Sequence, residues 1–380
     1  IVFNIPFTDP GYLPSYYWRI GLLTSLPALN SDAGGIILDG ATQSAFSGVS
    51  HPDFPPIYID SDLNPSGLPV FHIFGSYNTI AHLFLANSQG DAFTVVGNHN
   101  QINDNRIGTT QAIGINFLSG AQENQAARNG IYGSAIQSIR LTMAHENTIT
   151  GNIIGLDPDG ITIWSNELDG IALYNSNDNL ITQNTISANL GSGILVSNGL
   201  RNRIESNSIG LSKDLQTARG NGQHGIWLQE GSQNNELFSN WIAGNAWDGI
   251  RLSGASTSSN HMEKNVIGMG LLGAAPNAHH GIGIYDGANN NFVGSNTTAE
   301  RYNFIAGNGW SGVVVVDSDG GNNYILDNFI TGNSFYGVHI NNSNENKVYL
   351  NIFNGRVNIV CCAVIAAYII VINIKIAFCS

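Results

Sequence analysis

A chain that returns to the same short phrase every 23 to 32 residues has few architectures open to it. Glycines 170, 193, 225, 249, 281, 312 and 337 each open a Gly-apolar-x-apolar phrase, and successive copies are 23, 32, 24, 32, 31 and 25 residues apart. A second phrase, Asn-x-apolar-x-x-Asn-x-apolar, alternates with it at Asn147/Ile149/Asn152, Asn179/Ile181/Asn184, Asn202/Ile204/Asn207 and Asn235/Leu237/Asn240. Further copies start at Asn100, Asn260, Asn323 and Asn346. Repeats of this length make solenoids, in which each unit buries its apolar face only against its neighbours. Within each phrase the apolar residues alternate with period two, which predicts short strands with one face inward. Helical periodicity is absent. Gly and Asn are expected to punctuate the corners, where turn or left-handed backbone is needed. Asn side chains stacked coil upon coil can also hydrogen-bond along the column.

The longer units carry one insertion each, always after an Ile-Gly: Ile154-Gly155 to Asp169, Ile209-Gly210 to His224 and Ile267-Gly268 to His280. Loops therefore project from one corner of alternate coils. At a mean of about 28 residues per coil and about 4.8 Å per strand, the chain makes a single rod of roughly a dozen coils, about 60 Å long.

These phrases resemble the parallel β-helix repeat family, the architecture shared by pectate lyases, polygalacturonases and alginate epimerases. The likeness covers roughly residues 70–355. It implies an all-β, right-handed parallel β-helix in one elongated domain. Residues 1–65 would start or cap the helix, 66–356 would form the repeats, and 357–380 an apolar C-terminal strand segment. Asn147–Gly155, Asn240–Ile250, Leu26-Pro27 and Asp39–Gln43 also look like runs found in repetitive bacterial and archaeal surface proteins. Those resemble adhesins, sheaths and fibres more than characterised enzymes, and fold alone does not decide between them.

The chemistry is thinner than the fold. The Asn-Thr-Asp, Asp-Asp, Gly-His and Arg-Ile-Lys motifs of polygalacturonases do not occur, and Asp157-Pro158-Asp159 stands where alginate epimerases carry Asp-Pro-His. On the Gly-apolar strands the outward columns read Ala172, Leu195, Trp227, Arg251, Gly283, Val314, His339 and Tyr174, Ser197, Gln229, Ser253, Tyr285, Val316, Asn341, with no carboxylate. Leu195, Trp227, Val314 and Val316 are expected to form an exposed contact patch, or to be covered by loops. The Asn-phrase strands place Arg203, Glu236 and His261 on successive coils, flanked by Glu205 and Glu263. This is the candidate catalytic constellation, against which stands a solvated charge ladder of little net worth. Asp157/Asp159 and Asp317/Asp319 have the spacing of calcium ligands and equally of ordinary Asx-Gly turns. No other cofactor is expected. His224 and the His279-His280 pair read as repeat filler or as metal ligands.

An acidic balance of 27 Asp+Glu against 14 Lys+Arg, net −13, repels phosphate backbones and argues against nucleic-acid partners. Three cysteines confined to residues 361–379 make no disulfide framework. Ile1 suggests a processed chain, and an extracellular or cell-surface location is expected. From Ile359 to Ile372 fourteen consecutive apolar residues, including Val364 and Ile369, run too short for a membrane helix and are rich in β-branched side chains. They point to strands buried against a neighbouring subunit, to the last coils of the rod, or to a membrane or sorting segment. Two functions follow: a self-assembling structural or adhesive surface protein that also contacts glycans, or a polysaccharide lyase, hydrolase or epimerase working along the Arg203–Glu236–His261 face.

Overall fold

The computed structural model describes residues 1–13, 17–30, 35–49, 55–65, 67–295, 302–318, 320–354, 358–361 and 375–378. Its chain winds through three parallel sheets, which among these residues contain twelve, fourteen and thirteen strands. One coil shows the order. Leu180–Thr182 lies in the first sheet, Thr185–Ile186 in the second and Ile194–Ser197 in the third. Each pairs in parallel with its counterpart one coil on: Ile181 with Ile204, Ile186 with Ile209, Ile194 with Ile226. The fold is the expected parallel β-helix. Its core is a column of aliphatic side chains such as Ile149, Ile181, Ile204 and Leu237, sealed from solvent. Burial of this kind stabilises by roughly 1.5–3 kcal/mol per large aliphatic side chain.

Asparagine holds three corners. Asn184 donates both its backbone N–H and its side-chain Nδ2 to Asn207 Oδ1 at 3.0 Å, and Nδ2 also reaches the Ile149 carbonyl at 2.9 Å. The first ladder runs from Asn78 and Asn100 to Asn323 and Asn346, and the second from Asn105 to Asn351. A third joins Asn166, Asn189, Asn221, Asn245, Asn277, Asn308 and Asn333. Buried amides are thus bonded coil to coil, as a polar group out of water requires.

On the first two ladders the left-handed backbone expected at the corners falls on the residue before the asparagine, Asn303 excepted, and that residue is seldom glycine; on the third it is glycine at Gly244, Gly307 and Gly332. Asp178, Gln183, Arg201, Ser206, Asn234 and Ser239 all have φ between 53° and 58°. The repeat glycines serve space instead. A Cβ on Gly225 would meet the Gly249 carbonyl oxygen and an Ile242 methyl, both at 2.5 Å. Each insertion leaves from the second-sheet corner, two of them closed by the antiparallel bridges Leu156–Ile163 and Leu211–Ala218.

At the N-terminal end Tyr17–Gly21 pairs in parallel with Ile57–Asp60 and antiparallel with Tyr12–Leu13. A short helix, Ala41–Ser47, is tied to the first residues through Gln43, whose side chain bonds both the N–H and the carbonyl of Ile5. At the other end Asn358–Cys361 and Lys375–Phe378 extend the third sheet as parallel strands. Ile359 therefore lies in a strand of the rod itself, whereas Val364, Ile369 and Ile372 lie outside the described residues. No helix among the described residues is long and apolar enough to cross a membrane.

Candidate functional site

The register places the charged constellation where its spacing predicted, with Arg203 beside Glu236 and Glu236 beside His261. Arg203 reaches Glu205 and Glu236, each at 2.6 Å, and its guanidinium lies 5.5 Å over the Phe238 ring. His261 stacks on Phe292 at 4.6 Å, and Phe292 in turn on Tyr324 at 4.6 Å. Glu263 completes a small hollow of about 270 Å³ with these residues. Glu205 and Glu236 are occupied by an exposed guanidinium, and such surface pairs contribute about 0–1 kcal/mol. This is the geometry of a charge ladder.

The calcium candidates have other partners. Asp157 pairs with Arg106 at 2.6 Å, and Asp159 accepts Ile161 N–H, Thr162 N–H and the Thr162 hydroxyl within its own turn. Asp317 accepts Asn342 Nδ2 at 2.6 Å, and Asp319 lies outside the described residues. Among the described residues no three His, Cys, Asp or Glu side chains group to hold a metal.

The exposed apolar patch is corrected by the structure. Leu195 and Val314 face away from the core yet are buried, at 7% and 2% exposure, and Trp227 and Val316 are half-buried. Facing outward is not the same as facing solvent. Val314 and Val316 instead floor a groove on the third sheet, of about 670 Å³.

This groove is built mainly from turn residues that the strand columns leave out. The residues two before the repeat glycines, Trp247, His279, Trp310 and Phe335, form one wall. Trp247 and His279 are parallel at 6.4 Å, His279 and Trp310 stack at 5.0 Å, and Trp310 and Phe335 lie 6.1 Å apart. Trp247, Trp310 and Phe335 keep 44%, 48% and 59% of their surface exposed. Directly before the glycines runs a buried polar column. His224 Nδ1 accepts the Asp248 N–H at 3.2 Å, Asp248 Oδ1 accepts the His280 N–H at 3.1 Å, and His280 Nδ1 accepts the Ser311 N–H at 3.2 Å. Each imidazole therefore carries its proton on Nε2.

Gly283 completes the arrangement. A Cβ there would lie 2.2 Å from the Tyr285 ring, so its absence lets that ring fold back across the strand. The Tyr285 hydroxyl then donates to Asp248 Oδ2 at 3.2 Å, and Arg251 sits 4.3 Å over the Tyr285 ring, 4.0 Å from Asp248 and 3.7 Å from Asp286. Burial sets the protonation of this cluster. It pushes the Tyr285 hydroxyl up, with the Asp248 charge adding to it, and raises the Asp248 carboxyl against its own hydrogen bonds. It lowers His224 to about 3, helped by Arg251 and His279, and His280 to about 4, helped by His279 and His339. His339, half-buried at the groove floor, is lowered as well. Two buried donors, His224 Nε2 and Arg251 Nε, have no partner. Reading the residue before each glycine as a column of its own (Asp169, Ser192, His224, Asp248, His280, Ser311, Tyr336) would have exposed this site in the sequence.

Coils of three parallel strands, asparagine ladders and a lengthwise groove define a right-handed parallel β-helix protein. The chain belongs to the family described as the right handed beta helix region, whose model matches residues 70–215 and 158–353. No curated protein sequence matches it. Among solved structures it is similar to the A-module of mannuronan C-5 epimerase AlgE4 from Azotobacter vinelandii, with 15% identity, a TM-score of 0.55 and coverage of 96% of this chain and 92% of that one. It is also similar to the periplasmic alginate epimerase AlgG (14%, TM-score 0.57, 91% and 84%). A third likeness is to the Dettilon tailspike protein (18%, TM-score 0.53, 85% and 61%). At these identities the likeness is one of fold.

Proposed function

We propose that this protein is an extracellular or cell-surface β-helix that binds a polysaccharide lengthwise in the third-sheet groove. The observation carrying this reading is the wall of Trp247, His279, Trp310 and Phe335, repeating once per coil beside the buried polar column of His224, Asp248 and His280. Aromatic side chains at an open groove offer apolar contact to the C–H faces of sugar rings, while Tyr285, Arg251 and His339 supply a few oriented polar groups. Two of the similar structures are alginate epimerases by name, which supports a glycan partner for a rod of this kind.

Adhesive binding fits the groove better than hydrolysis. Its lining holds one carboxylate, Asp248, with both oxygens already accepting hydrogen bonds. Glycoside hydrolysis commonly uses two carboxylates flanking the bond. Turnover is nonetheless a distinct second reading, favoured by two unpartnered donors around Asp248, His224 Nε2 and Arg251 Nε. The fibre reading rested on Leu195, Trp227, Val314, Val316 and the tail. Two of the first four are buried, and Ile359 lies in a strand of the rod's own sheet.

Affinity electrophoresis of the full chain through gels containing a panel of polysaccharides tests the proposal. Trp310→Ala and Phe335→Ala should each weaken retardation about tenfold while leaving the melting temperature within a few degrees. Retardation unchanged in both variants would remove the groove as the binding site. New reducing ends or unsaturated products that disappear in Tyr285→Phe would establish turnover.

A further inference from the structure

We infer that the polysaccharide held in this groove is built of uncharged sugars rather than uronates or other anionic units; this rests on the groove being a glycan site. The charge surrounding the groove decides it. Among the described residues its lining contains one formal cation, Arg251, and that guanidinium already lies between Asp248 and Asp286, at 4.0 and 3.7 Å, over the face of Tyr285. An arriving carboxylate would compete with two resident ones for the same group. A weakly hydrated guanidinium that stacks on an aromatic ring and faces acids on both sides has little left to offer a third anion.

Two of the four lining histidines, His224 and His280, do not supply the missing charge. Both His224 and His280 accept a backbone N–H at Nδ1, so a second proton there would break the bond that holds the ring. The rim opposite the aromatic wall is acidic. Asp286 and Asp317 follow Tyr285 and Val316 directly at the ends of paired strands, Asp286 is well exposed, and Asp317 also lies at the surface. A chain lying in the groove is flanked by aromatic rings on one side and carboxylates on the other, across a four-residue strand about 13 Å long. The whole molecule adds a net charge of −13. A polyanion would meet repulsion on approach and, among the described lining residues, find no Lys or Arg that is not already paired with acids. Neutral sugar rings meet neither penalty, and they match the rim groups with hydroxyl donors and the aromatic wall with C–H faces.

The test uses the full chain in affinity gels containing a galactomannan, a mixed-linkage β-glucan or an α-glucan, set against sodium alginate and polygalacturonate. At least one neutral polymer should retard the protein about tenfold more strongly than either uronate. That retardation should weaken about tenfold in each of Trp310→Ala and Phe335→Ala and hold within about twofold as salt rises from about 50 to about 500 mM, a range over which exposed charge attraction is screened away. An Asp286→Asn/Asp317→Asn double variant should begin to admit the uronates. Trp310-dependent retardation by a uronate that weakens with salt would overturn the inference while leaving the groove as a glycan site. If no polymer of either class gives retardation dependent on Trp310 or Phe335, both the inference and the proposed function fall.

Discussion

At the scale of single residues the groove is held by titratable groups whose charged forms burial disfavours. His224 and His280 titrate near 3 and 4 in the fold, against an ordinary imidazole value of about 6.5. The unfolded chain therefore takes up protons first as pH falls below about 6.5, and stability is lost progressively from there toward pH 4. Each displacement is worth on the order of 3 kcal/mol at full extent. The raised carboxyl of Asp248 acts with the opposite sign, since the folded state binds that proton ahead of the unfolded one, and it offsets part of the loss at the acidic end. Thermal unfolding followed by circular dichroism should give a melting temperature several degrees lower at pH 4.5 than at pH 7.5. In His280→Asn, where an amide oxygen can still accept the Ser311 N–H, that difference should shrink. An equal pH dependence in the variant would mean the cost lies elsewhere.

At the scale of elements, the ladders and the folded-back tyrosine make separate predictions. Asn207→Ala leaves the Asn184 N–H and Nδ2 without their acceptor and the Ile181 carbonyl without a donor, all inside the corner. At roughly 1–3 kcal/mol per buried polar group left unpaired, the loss is on the order of 4 kcal/mol and should show as a lower urea midpoint. Gly283→Ala should act differently. Its methyl group displaces the Tyr285 ring from Asp248, so polysaccharide retardation should weaken while the urea midpoint moves little. The coil was legible in the sequence because strands alternate with period two and the same asparagines recur at every turn. The third ladder was missed, because Asn189, Asn245 and Asn333 do not open the Asn-x-apolar-x-x-Asn phrase. The groove was hidden for two physical reasons. Its wall and polar column come from turns, at Trp247, Asp248, His279, His280 and Trp310, which strand columns do not include. Its floor depends on a side chain crossing from Tyr285 over Gly283, and no pattern of inward and outward positions shows that. The Arg203–Glu236–His261 column was read correctly as adjacent, and adjacency there produced ion pairs and ring stacks.

At the scale of the molecule, twelve to fourteen strands per sheet at about 4.8 Å give a rod of roughly 60 Å, which small-angle scattering should report as an elongated particle. With Asn358–Cys361 and Lys375–Phe378 continuing its own third sheet, the protein should sediment as a monomer. Concentration-dependent assembly that vanishes on removal of residues 358–380 would place the apolar run at a subunit interface instead. The ladders also make the rod divisible. Residues 179–201 contribute one strand to each sheet, and both the asparagine before them in the column, Asn147, and the one after, Asn202, present the same amide to the same neighbour. Excising those 23 residues would let Asn147 take Asn202 in place of Asn179, shortening the molecule by one rise and leaving the groove untouched. A protein bonded this way behaves as a ruler graduated in coils, whose reach from one end to the binding surface can be reset by whole units without redesigning anything on either side of the cut.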